Sequence, residues 1–114
     1  MSRCELIQYL NDGPPEGRTG SLPQAIREYL EGNLRGRFPA ELESARNLGE
    51  MLGRIRTAMD GSPLRRLLAR YDELDRINEF VTRYCHLAGD RPPGEPLDGE
   101  LRPIVELALD IGWG

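Results

Sequence analysis

Side chains able to carry out chemistry are few in this chain, and their spacing suits little. Cys4, Cys85 and His86 are its only soft metal ligands. Zinc sites use four ligands, usually in pairs such as Cys-x-x-Cys, and no such pair occurs. Cys85 and His86 are neighbours. On a helix, neighbours point about 100° apart, a poor start for a nucleophile and its base. Asp72, Glu73, Asp75 and Glu79 form an acidic run, with Asp72, Asp75 and Glu79 at helical spacing on one face. Paired carboxylates are the raw material of acid–base catalysis. Arg76 and Arg83 are interleaved with them, so an exposed, salt-bridged surface is the simpler reading. Neither Gly-x-Gly-x-x-Gly nor a lysine-bearing phosphate loop is present. The residues imply no catalytic group, no metal and no cofactor, and hence a protein that is not an enzyme.

Charge is more informative. All fifteen basic residues are arginine, a bias typical of very GC-rich genomes, which points to a bacterial or phage source. The net charge of −4 and isoelectric point near 5.0 argue against a general nucleic-acid coat, whose footprint is basic. The charge is also polarised. Arg54, Arg56, Arg65, Arg66 and Arg70 surround Asp60 alone, a local net of +4, which leaves ten arginines and eighteen acids elsewhere, a net of −8. Arginines beside a helix start form a candidate partner- or anion-binding patch. An acidic protein is one fitting partner, and nucleic acid or phosphate is another.

That patch belongs to residues 40–87, which read as two long helices broken once, at Asp60-Gly61-Ser62-Pro63. Gly61 can take the left-handed conformation that ends a helix. Ser62 can cap the next helix, and Pro63 suits its first position. So short a connection makes the two helices antiparallel neighbours. Phe38, Leu42, Ala45, Leu48, Leu52, Ile55 and Met59 draw an apolar stripe at intervals of three and four. Leu64, Leu67, Tyr71, Leu74, Ile77, Val81 and Tyr84 draw the facing one. Each arm would measure about 30 Å. Ala45, Gly49 and Gly53 recur every four residues and form a candidate helix–helix interface. It would serve a neighbouring helix of the chain or, in a homodimer, a second copy. Each mid-helix glycine costs about 1 kcal/mol relative to alanine, so close packing should offset it.

The flanking segments are shorter. Ser2-Arg3-Cys4-Glu5 has capping-box spacing, and the helix it opens buries Leu6, Ile7 and Leu10 or Tyr9 before Gly13-Pro14-Pro15 stops it. Ser21 opens a second helix carrying Leu22, Ala25, Ile26, Tyr29, Leu30 and Leu34, closed by Gly36. The stretches 12–20 and 88–97 are Gly/Pro-rich loops. Asp98 caps a last helix with Pro103 in its first turn and Leu101, Ile104, Val105 and Ala108 inside. Trp113, the single tryptophan, is a candidate anchor for a partner, since tryptophan is enriched in binding hot spots.

The expected architecture is all-α: one domain over 1–114, a small bundle of four to five helices around a long antiparallel helical hairpin at 40–87. No run of eighteen apolar residues suggests a membrane span, and the first residues lack a signal peptide's apolar core. The residues point to a cytoplasmic protein-interaction module: a regulatory subunit, adaptor or inhibitor with a protein partner, and a candidate homo-oligomer. Nucleic-acid or phosphate binding through the arginine-rich turn is the alternative.

Overall fold

The apolar stripes read from the sequence become the faces of a helical bundle. The computed structural model describes residues 2–13, 22–85 and 98–113. Among them are six α-helices and one 3-10 helix, with no strand: α1 (Ser2–Asp12), α2 (Leu22–Arg37), α3 (Pro39–Leu42), α4 (Leu48–Arg56), the 3-10 helix (Pro63–Arg70), α5 (Tyr71–Cys85) and α6 (Asp98–Trp113). The expected all-α bundle is what forms. Beyond Asp12 and Gly13, the loops expected at 12–20 and 88–97 lie outside the described residues, as do Ser21, His86 and the side chains of Cys85 and Trp113.

α2 is the element that touches every other α-helix. Leu22, Ala25, Ile26, Leu30 and Leu34 recur at intervals of three and four and are all buried. They meet Leu6 and Tyr9 of α1, Leu74, Ile77, Phe80 and Val81 of α5, and Leu101, Val105, Ala108 and Ile111 of α6 in one apolar core. Ile7, expected inside as well, faces outward from α1 and is exposed. The hairpin is thus one side of the bundle, and α2 runs through its middle. Gly36 does not close α2, which continues to Arg37. Pro39 ends it by pushing Phe38 out of helical conformation (φ −131°). Gly13 has a positive φ of 85° and donates its N–H to the Tyr9 carbonyl at 2.8 Å, the expected stop of α1.

The hairpin reverses where expected, but its arms differ from two continuous helices. The first arm is α3, a turn, and α4. Asn47-Leu48-Gly49-Glu50 is a capping sequence: the Glu50 N–H donates to Asn47 Oδ1 at 3.0 Å, and Glu50 Oε1 accepts the Arg46 N–H at 3.2 Å. These local bonds satisfy the start of a new helix and outweigh continuation through 43–47. Side chains from α2 reinforce the corner, because Arg35 donates to the Ala45 and Arg46 carbonyls (2.9 and 3.1 Å) and Glu31 accepts the Leu48 N–H (2.8 Å). α4 also ends early, at Arg56, where Thr57 Oγ1 donates to the Gly53 carbonyl. Met59, expected inside the stripe, is therefore 79% exposed.

Gly61 (φ 92°) serves the tight turn closed by the Ser62 N–H on the Met59 carbonyl, not a helix end. Ser62 caps the second arm as expected, its Oγ accepting the Leu64 N–H at 3.2 Å. That arm opens as a 3-10 helix, with three residues per turn. Leu64, Leu67 and Arg70 then stack in one line: both leucines are buried, and Arg70 reaches α6. α6 runs through Pro103 at its sixth residue, later than the first turn expected, and forgoes one backbone hydrogen bond there.

Candidate functional site

The five candidate arginines around the hairpin turn do not serve one purpose. Arg54 donates to the Glu41 carbonyl (2.9 Å) and to Ser44 Oγ (2.8 Å), binding α4 to α3 and the turn between them. Arg65 donates to the Ala58 carbonyl (3.0 Å) and pairs with Asp60 (3.3 Å), so it holds the turn itself. Arg70 bridges two helices: it pairs with Glu73 on α5 and, at 2.8 Å, with Asp110 on α6. These two carboxylates hold its guanidinium pKa above the ordinary value. Arg56 and Arg66 are exposed and make no hydrogen bond or ion pair. The patch read from sequence therefore divides into three structural arginines and two uncommitted ones.

Next to Arg66 lies a groove of about 580 Å³ between the turn and the α2–α3 junction. Phe38, Pro39 and Ala40 form one side, and Gly61 and Pro63 the other. Arg37 stands at its rim. One nitrogen of Arg37 donates to the Ile111 carbonyl (3.2 Å) and Asn33 Oδ1 (3.4 Å), and its guanidinium lies over the Phe38 ring at 5.5 Å. Its other N–H donors remain unused. Glu41 also lines the groove, and its carboxylate makes no ion pair. Met59, two residues before Gly61 in the same turn, is exposed. Composition gave no signal for the groove, since it arises from the corner at Phe38-Pro39 meeting the turn at Gly61-Pro63.

The small-residue candidates do not form one helical stripe. Ala45 is buried in the turn before α4, while Gly49 and Gly53 lie within α4. A Cβ on Gly49 would meet Asn47 Oδ1 at 3.3 Å and Asn78 of α5 at 3.8 Å; one on Gly53 would meet nothing within 4 Å. Trp113 closes α6, but its side chain lies outside the described residues. Of the acidic run, Glu73 pairs with Arg70, whereas Asp72, Asp75 and Glu79 and the interleaved Arg76 and Arg83 make no ion pairs, so the expected salt-bridged surface forms in part.

Away from the hairpin, Tyr9 donates its hydroxyl to Asp98 Oδ1, and Arg102 donates to the Leu10 carbonyl (3.2 Å) while lying 5.2 Å over the Tyr9 ring. Burial, then the bond to Asp98 and its charge, pushes the Tyr9 phenol up to about 12. This cluster joins α1 to α6. Another groove, of about 390 Å³, runs between those helices beside Ile7 and Leu109. Among the described residues, no three His, Cys, Asp or Glu side chains converge to hold a metal, and no helix is long and apolar enough to cross a membrane. Comparison with protein-family models, curated protein sequences and solved structures finds no match to this chain.

Proposed function

We propose that this chain is a non-enzymatic protein-interaction module, a small regulatory subunit, adaptor or inhibitor of bacterial or phage cytoplasm, which engages its partner through the turn end of the hairpin. The observation that carries this reading is a coincidence in space. Two exposed arginines without partners, Arg56 and Arg66, share that end with an exposed Met59 and a half-apolar groove. Unpaired arginine and exposed methionine are both favoured contact residues at protein interfaces. The acidic charge of the rest of the chain would steer a negatively charged partner toward this end and away from the others.

The same two arginines support a second reading, a phosphate-bearing partner such as nucleic acid. One experiment separates the two. A photo-crosslinking residue replaces Met59 or, as a control on the α5 face, Glu79, and adducts are collected from the native lysate with and without nuclease. The proposal expects a stoichiometric, nuclease-resistant protein adduct from position 59 and none from 79. Nuclease-sensitive adducts would transfer the function to nucleic acid, and equal labelling at both positions would remove the site.

A further inference from the structure

The geometry points to the groove between Phe38-Pro39 and Gly61-Pro63 as a seat for an acidic peptide segment that carries an apolar residue between its carboxylates. This rests on the interaction-module reading and specifies the partner's chemistry. Pro39 and Pro63 are exposed in the groove walls and offer no backbone N–H. With Phe38 and Ala40 they make an apolar floor that suits an aliphatic side chain better than a phosphate. Charge lies at the margins. Arg66 is exposed and unpaired, and Arg37 keeps N–H donors free beside its bonds to Asn33 and Ile111. A carboxylate can take a guanidinium fork from either.

Glu41 decides between partners. Its unpaired carboxylate in the same lining repels a charge placed at that point. A phosphodiester chain carries charge at every step and would meet Glu41 whatever its register. A peptide can set a neutral or apolar residue there and its acids at Arg37 and Arg66. The net −8 of the rest of the chain penalises a long polyanion further, because a short peptide stays within the patch. Exposed aromatic rings for base stacking are missing from the groove, where the sole ring is the buried Phe38.

The test titrates a dye-labelled peptide of alternating Glu and Leu, its Gln-for-Glu counterpart and a single-stranded oligonucleotide of equal charge, read by fluorescence anisotropy. The Glu/Leu peptide should bind, and the Gln version should not. Arg66→Glu should weaken binding about tenfold or more, while Glu41→Gln should tighten it a few-fold. Neither side chain is buried, and circular dichroism checks that each variant folds. Absence of peptide binding up to about millimolar concentration, indifference to Arg66→Glu, or tighter binding of the oligonucleotide would overturn the assignment. Should the peptide fail while the Met59 crosslink to protein persists, the groove's ligand is wrong and the interaction reading stands. Loss of both would remove the reading itself.

Discussion

Tyr9 should make the fold sensitive to alkali in a way that one substitution erases. Its ring is 1% exposed, and its hydroxyl donates to Asp98 across the α1–α6 interface. The phenol rises from 10.0 to about 12 on folding, chiefly through burial and then through Asp98. The folded chain therefore holds this proton more tightly than the unfolded chain. The linked stabilisation is fully present below about pH 10 and is lost as pH rises through about 12. Two pH units correspond to about 3 kcal/mol at most, and about 2 kcal/mol of this should be gone by about pH 11.5. Tyr9→Phe keeps the ring and its contact with Arg102 but loses the hydrogen bond. Asp98, whose side chain is 52% exposed, can rehydrate, so the cost near neutrality should be about 1–2 kcal/mol. Urea unfolding of both proteins at about pH 8 and about pH 11.5 reads the difference. The wild type should lose about 2 kcal/mol more than the variant across that interval, and the phenolate difference spectrum should show Tyr9 titrating near 12. Parallel pH dependence in the two proteins, or a Tyr9 transition at the ordinary phenol value, would refute the argument.

Other packing claims yield further expectations. Glu31→Ala removes the acceptor for the Leu48 N–H and should cost about 1–2 kcal/mol, with amide exchange accelerating first at residues 48–51; unchanged exchange there would show that α2 does not hold the start of α4. Gly53→Ala meets no atom within 4 Å and should raise stability by about 0.5–1 kcal/mol through helix propensity. Loss of self-association in that variant, read by sedimentation, would instead mark Gly53 as a contact between copies. A Cβ on Gly112 would collide with the hydroxyl and ring of Tyr29. Gly112→Ala should therefore destabilise by about 1–3 kcal/mol and cost clearly less in a Tyr29→Ala background.

Much of the fold was legible because burial tracks periodicity. The stripes at Leu22–Leu34, Leu64–Tyr84 and Leu101–Ala108 all face the core, and Ser62-Pro63 opens the second arm as its residue types dictate. The misreadings came where apolar spacing and local hydrogen bonding compete. Phe38 through Met59 keeps a helical rhythm across two helices because a turn can restore the same face after a break. The capping pair Asn47 and Glu50 was in the sequence and signals that break. Leu64-x-x-Leu67-x-x-Arg70 fits three residues per turn as well as 3.6, so its 3-10 form was not separable from an α-helix. For the candidate site, residue types picked out the five arginines but not which of them the fold itself uses. Arg54, Arg65 and Arg70 find partners at Glu41, Ala58 and Asp110, and two of these three acceptors are backbone carbonyls, which composition cannot reveal.

The central claim is that the turn end of the hairpin, and not charge in general, recruits a protein. Arg56→Glu with Arg66→Glu changes the net charge by the same amount as Arg76→Glu with Arg83→Glu, and all four side chains are exposed and unpaired. Affinity capture from the native lysate under nuclease, quantified by mass spectrometry against the unmodified chain, compares them directly. The account predicts that the first pair abolishes a stoichiometric partner while the second leaves it bound. Equal loss from both pairs, or retention by the first, would contradict it.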